Sequence, residues 1–240
     1  MAGESGMGLH LALGAARRVS RVPTLSKSRM RPSVIALTGL PGTGKTRFGA
    51  ALYPMLPPDF AYLDIDTLTQ PLVRTALDVV GLSVAHAAAN GTLRRLRDAQ
   101  YACLWNQVRE LVALRRSVLV VAPMTHELDD PPAFFGVVAS LAPARFVLMR
   151  AHASPETVRA RLEQRGDFLD ELRLSRWETD LHRYVRPAPL PMKGLELDTS
   201  GSSAQHLADR ALPWLRSQLA WPDRAADGET ALPVAARVRA

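Results

Sequence analysis

Gly39-Leu40-Pro41-Gly42-Thr43-Gly44-Lys45-Thr46 carries glycines, a lysine and a threonine at the spacing G-x-x-x-x-G-K-[ST], directly after the apolar run Val34-Ile35-Ala36-Leu37. Glycines let such a loop curl until successive backbone N–H groups converge on one point, and a helix starting at its end adds a positive N-terminus. The group that fits is a phosphate. Lys45 is then expected to reach the β- and γ-phosphates of ATP, with the Thr46 hydroxyl on Mg²⁺ and Arg47 continuing the site into the helix. Lysine is scarce in this chain: of 30 Lys and Arg residues, only Lys27, Lys45 and Lys193 are lysines. Lysine suits a position that needs a compact point charge on a thin stem.

Two carboxylates follow at the end of a second strand-like run, Ala61-Tyr62-Leu63-Asp64-Ile65-Asp66. Residues two apart on a strand face one side, so both acids point together if the strand persists through Asp66. The C-terminal ends of strands in an open parallel sheet line the ligand crevice. Asp66 is therefore a candidate general base and Asp64 a candidate metal ligand. Asp66 could also cap the next helix, with Thr67 as the rival cap.

The most apolar run, Ser117-Val118-Leu119-Val120-Val121-Ala122, leads into Pro123-Met124-Thr125-His126-Glu127. A strand beside a phosphate loop often ends in an Asp that holds Mg²⁺. Ala122 and Pro123 stand there instead, which shifts the metal's surroundings onto Asp64, Asp66 or Glu127, or weakens them. His126 reads as a loop residue.

Further on, Arg159, Arg161, Arg165, Arg173, Arg176, Arg183 and Arg186 interleave with acids. Much of this reads as i,i+4 pairing on an exposed helical hairpin. Phosphoryl transfer also needs cations brought to the γ-phosphate and water kept out, which a mobile arginine-bearing lid does. Arg165, with Arg173 or Arg176, is the expected lid contact, and the lid spans about residues 165–187.

These residues need a scaffold. Strands are expected over residues 34–38, 61–66, 117–122, 145–149 and 195–198, with helices between them: an α/β fold with a five-stranded parallel sheet sandwiched by helices. A long helix from Thr92 to about Arg116 should bury Leu93, Leu96, Cys103, Leu104, Val108, Leu111 and Val112. Its other face, with Tyr101 and Trp105, could wall an acceptor pocket. Ser154 and Pro155 open a helix that Gly166 ends. Residues 187–191 form a proline-rich connector, and a last helix runs from Gln205 to about Leu219.

A chain of 240 residues with 47% hydrophobic content suits one domain, over residues 32–221. Cys103 is the only cysteine, so no internal disulfide is possible, and a reducing, cytoplasmic setting is expected. No stretch approaches a membrane span. Most of the net charge of +7 lies in residues 1–31, where Arg17, Arg18, Arg21, Lys27, Arg29 and Arg31 face only Glu4. Such an arm reads as a disordered tail, as do residues 222–240, and nucleic acid is not expected as a partner.

The order of strand, phosphate loop, helix, acid-ended strand, long helix, apolar strand, arginine hairpin and Leu-Asp-Thr-Ser turn resembles the P-loop small-molecule kinases. That group includes chloramphenicol phosphotransferase, gluconate kinase and the zeta toxins. The likeness spans about residues 33–217, and Ile65-Asp66-Thr67-Leu68 is similar to the stretch carrying the catalytic aspartate of chloramphenicol phosphotransferase. The resemblance implies a P-loop NTPase fold, ATP·Mg²⁺ on residues 39–46, Asp66 as general base, a lid entered through residues 154–165, and adenine near residues 198–202. It implies a small-molecule hydroxyl acceptor, such as an antibiotic or natural-product intermediate. A nucleotide-sugar or polynucleotide kinase, and an ATP-binding regulatory module without catalysis, remain open beside it, as does the oligomeric state.

Overall fold

The computed structural model describes residues 31–219 and 221, so the expected tails, apart from Arg31, lie outside the described residues. β1 (Ser33–Thr38) runs between β3 (Ser117–Val121) and β4 (Arg145–His152), with β2 (Phe60–Asp64) and β5 (Gly194–Asp198) at the edges. The order is β2-β3-β1-β4-β5, and the five strands are all parallel, as the sequence predicts of the sheet. Side chains alternate across a strand, so β1 sends Ile35 and Leu37 to one face and Val34 and Ala36 to the other. On the first face α1 (Lys45–Leu52) and α10 (Ala204–Leu219) bury Phe48, Leu52, Ala211 and Leu215. On the second, α4 (Thr92–Ala113) and α6 (Pro131–Ser140) bury Leu104, Val108 and Phe134. Burial on both faces is why the inner strands read as unbroken apolar runs.

β2 ends at Asp64, two residues short of the expected strand, because α2 (Ile65–Val79) begins at once. The Asp64 carboxylate is the cap: its Oδ1 accepts from the backbone N–H of Asp66 at 2.9 Å and of Thr67 at 3.4 Å. These N–H groups have no carbonyl partner within the helix, so a carboxylate there stabilises the start. Neither Asp66 nor Thr67 caps the helix. Asp66 sits in the first turn instead.

The Ala-rich stretch after α2 forms α3 (Val84–Ala89). The buried stripe of α4 is Tyr101, Leu104, Trp105, Val108 and Val112, a regular i, i+3, i+4, i+7 set. This corrects two expectations. Cys103 is exposed, out of phase with the stripe, and Tyr101 and Trp105 face the core. Their polar tips are satisfied there: the Tyr101 hydroxyl accepts from the Met124 N–H at 2.6 Å, and the Trp105 indole donates to Glu127 at 2.9 Å.

α7 (Pro155–Arg165) starts at Ser154, whose hydroxyl accepts from the Thr157 N–H, and stops at Gly166 in the left-handed region. α8 (Asp170–Ser175) and α9 (Trp177–Val185) then form the expected hairpin. Trp177 packs with Val158 and Leu162 of α7 and stacks on Tyr184, ring centroids 5.1 Å apart. Among the described residues no helix is long and apolar enough to cross a membrane.

Candidate active site

The loop between β1 and α1 is shaped by its close neighbours. A Cβ on Gly39 would stand 2.3 Å from the Ala151 carbonyl oxygen, a backbone atom that cannot move aside. Gly44 caps α1 in the left-handed region at φ 80°, which glycine adopts without strain. The Thr43 hydroxyl folds back to donate to the Leu40 carbonyl at 2.7 Å, and the Tyr184 hydroxyl donates to the Pro41 carbonyl. Arg161 of α7 donates to the Gly42 carbonyl and to both oxygens of Thr199, while the Thr199 hydroxyl donates to the Thr43 carbonyl at 2.8 Å. The loop is therefore held from outside by the helix leading to the lid and by the turn after β5.

A cavity of about 730 Å³ lies over this loop. Of the nucleotide-site residues expected from the sequence, Gly42, Gly44, Lys45, Thr46 and Arg47 line it; Gly39, Leu40, Pro41 and Thr43 do not, and they shape the loop from behind. Asp64 and Asp66 line it from the β2–α2 junction, and Thr199, Ala204 and Leu207 from the end that would meet a base. Lys45 is buried, and burial lowers its amine to a pKa of about 8. Asp66 and Asp64 pull the other way, and Arg173 and Arg165 add to the lowering. These five groups share one electrostatic neighbourhood.

The titration has a measurable consequence. Bound phosphates favour charged Lys45, so nucleotide binding should take up a proton near pH 8 and above, and affinity should weaken up to about tenfold per pH unit as pH rises past 8. Calorimetry in buffers of different ionisation enthalpy reads both effects. The stability term has the opposite sense. Because the folded pKa lies below the unfolded one, charged Lys45 costs stability below about pH 8, and that cost fades as pH climbs from 8 towards 10.5.

The Thr46 hydroxyl donates to Asp64 Oδ2 at 2.9 Å. Among the described residues no group of three or more His, Cys, Asp and Glu forms a metal cage. Magnesium held by one or two protein groups and the substrate phosphates needs none, and a hydroxyl beside a carboxylate at the phosphate end fits that mode. Both Asp64 oxygens are thus engaged. The Asp66 carboxylate accepts no hydrogen bond among the described residues.

The lid arginines divide. Arg165 lines the cavity, and its Nε donates to Asp170 at 2.7 Å; Arg173 donates to the same carboxylate at 2.7 Å. Arg176 is exposed at the α8–α9 junction, away from the cavity lining, because the hairpin turns its face to solvent. Two links close the lid against α2: Gln70 donates to Asp167 at 3.2 Å, and the Arg74 guanidinium lies 4.8 Å from the centre of the Phe168 ring.

Asp170 is buried, which opposes its charge, yet Arg165 and Arg173 outweigh burial and hold its carboxyl below the usual range. Its stabilisation is present above the unfolded carboxyl pKa near 4 and disappears as pH falls below it. Asp170→Asn should cost about 1–3 kcal/mol at pH 7, less than the 3–5 of a fully buried pair, because Arg165 keeps much of its surface in water. Urea unfolding at pH 7 and pH 3 checks this; the gap between variant and wild type should narrow at pH 3.

At the exit of β3 the missing acid has no substitute. The Thr38 hydroxyl donates to the Pro123 carbonyl at 2.6 Å, Met124 turns with φ 50°, and α5 (Thr125–Asp129) begins. His126 lies exposed on that short helix rather than in a loop. Glu127 is drawn into the core by Trp105 and does not line the cavity, so of the three acids weighed for the metal's surroundings only Asp64 and Asp66 face it. Sequence reasoning missed Arg161 as a loop contact, although it stands one turn before Arg165 on the same helical face. It also missed Gln70, Gln164 and Asp167 on the cavity wall.

A phosphate loop at the switch point of a five-stranded parallel sheet, under an arginine-bearing hairpin, defines a P-loop kinase fold. The AAA domain family matches residues 34–187, and the chain belongs to that family. It is similar in structure to a candidate kinase from Chloroflexus aurantiacus J-10-fl, at TM-score 0.57 and 22% identity, over 79% of this chain and 99% of that one. It is also similar to a sugar kinase from Janibacter sp. HTCC2649, at TM-score 0.50 and 15% identity, over 77% and 94%. No curated protein matches the sequence.

Proposed function

We propose that the protein is an ATP-dependent phosphotransferase acting on a hydroxyl group of a small molecule, such as an antibiotic or natural-product intermediate. The observation that carries this reading is one cavity holding Lys45, Thr46 and the unpartnered Asp66 carboxylate. A nucleotide-binding site needs the first two, and a carboxylate without a hydrogen-bond partner among the described residues beside them is suited to take a proton.

Residues 39–47 hold the triphosphate, with Thr46 and Asp64 placed to hold Mg²⁺, which neutralises phosphate charge when bound. Asp66 takes the acceptor's hydroxyl proton as that oxygen bonds to the γ-phosphorus and the bridging bond to ADP breaks. Lys45 and Arg165 stabilise charge on the transferring group, and Arg173, through Asp170, positions Arg165. The turn at Thr199 and the Ala204–Leu207 side receive the base. Closure of α8 and α9 keeps water from competing as acceptor.

Measuring ATP consumption against a panel of hydroxylated small molecules tests the reading. Consumption that rises with a particular acceptor and yields its phosphate ester supports it. ATP bound tightly but never consumed with any acceptor would favour the regulatory module, for which the absent acid after β3 is the best support.

A further inference from the structure

A second cavity, of about 300 Å³, opens on the other flank of the phosphate loop beneath residues 38–40. Its walls include Pro123, Leu128, Arg150, Arg183, Arg186 and Pro187. Arg150 pairs with Thr38 in the β1–β4 register and is 8% exposed. One of its terminal nitrogens donates to the Ala188 carbonyl and the other to Glu196 at 2.7 Å. Its Nε–H has no partner among the described residues. A buried donor on a charged group is costly to leave unpaired, and this one, itself sealed from solvent, leaves Arg150 with unmet hydrogen-bonding capacity beside the cavity.

The surrounding charge has the same sense. Arg183 is tied to Asp129 at 2.9 Å, but Arg186, exposed at the end of α9, has no ion-pair partner among the described residues. Three guanidinium groups thus meet one lining acid. Guanidinium forks match the geometry of carboxylate and phosphate oxygens. The prolines and Leu128 offer the opposite wall to a carbon skeleton.

We propose that this second cavity is an oxyanion subsite that seats the acidic group, a carboxylate or a phosphate, of the acceptor. The assignment to the acceptor rests on the phosphotransferase reading above; the oxyanion site itself does not. Residues 38–40 line this cavity, while Gly42 and residues 44–47 of the same loop line the first.

The test is calorimetric titration of inorganic phosphate into the full chain saturated with a non-hydrolysable ATP analogue and Mg²⁺, which occupies the first anion site. Saturable binding is expected, weakened at least tenfold in both Arg186→Ala and Arg150→Gln, with analogue affinity unchanged. Arg186 is exposed, so its variant keeps the test sound if Arg150→Gln fails to fold. No saturable binding to the wild type, or binding untouched by Arg186→Ala, overturns the subsite. A second arm pairs hydroxy acids and sugar phosphates with their neutral analogues as acceptors. The wild type should prefer the acidic member at least tenfold in kcat/KM and lose that preference in Arg186→Ala; whether carboxylates or phosphates are preferred names the source. Equal use of neutral partners overturns the acceptor assignment. Phosphate binding that depends on Arg186, without turnover of any acceptor, counts against the phosphotransferase reading and leaves the subsite standing.

Discussion

Asp66→Asn should lower acceptor-dependent turnover by about 10²- to 10⁴-fold while nucleotide affinity at pH 7 stays within about threefold. The reason lies in the division of work between two neighbouring acids. Asp64 accepts two backbone N–H groups and the Thr46 hydroxyl, so its oxygens are occupied. Asp66 shares the cavity and the field of Lys45 yet is not engaged in this way. Asn keeps the shape and the place in the first turn of α2 but cannot take a proton. Because Asp66 favours the charged amine of Lys45, the variant should also move the pH at which nucleotide affinity begins to fall to a lower value. A base that does nothing else would leave that profile alone; a merely structural residue would move stability instead. Turnover unchanged in Asp66→Asn removes it as base. Asp64→Asn should behave differently, with a less stable fold, because the cap of α2 weakens.

The sheet was legible because its signals are local and redundant. Val34 to Leu37 and Val118 to Val121 are apolar on both faces, and the loop motif sits between a strand and a helix. The β2–α2 junction was not fully legible, since Asp64 and Asp66 are both good caps and only the geometry of Ile65 decides between a strand and a helix there. On α4, arginines suggested an outward face for Tyr101 and Trp105, and the small apolar Cys103 was taken for core. Burial of the aromatics depends on partners 20 or more residues away: the Met124 N–H and Glu127. Periodicity cannot see them. The same limit hid Arg161, whose partners are carbonyl and hydroxyl oxygens on Gly42 and Thr199 rather than acids along its own helix. Charge counting finds ion pairs, and this arginine makes none.

Arg161, Thr199 and Tyr184 also bear on how the lid communicates with the loop. Tyr184 on α9 donates to Pro41, and Arg161 on α7 donates to Gly42, so the helices on either side of α8 contact consecutive loop residues. Asp170 gathers Arg165 and Arg173 on the intervening turn. Arg165 therefore reaches the cavity wall while paired to Asp170.

Lys45→Met is expected to lower turnover by about 10²- to 10³-fold and, unlike Asp66→Asn, to weaken nucleotide binding as well, because a donor aimed at the phosphates and at developing charge disappears. The variant should nevertheless be more stable than the wild type in the absence of nucleotide. Lys45 is buried and its charge is opposed by that burial even with Asp64 and Asp66 beside it. Methionine keeps the stem, fills the space and removes the cost, which a lowering from 10.5 to about 8 puts at no more than about 3 kcal/mol. Lower values apply here, since two carboxylates lose a cationic neighbour. Thermal melts with and without ATP·Mg²⁺ separate the effects. Wild type should gain stability with nucleotide, as any ligand of the folded state provides. Lys45→Met should start higher and gain little. A variant that melts lower and also fails to turn over would show Lys45 holding the loop's structure, and the pH dependence predicted for nucleotide affinity would then need another titrating group. If the variant melts higher, binds nucleotide weakly and loses the pH dependence near 8, then charge at this one position links folding cost to phosphate capture.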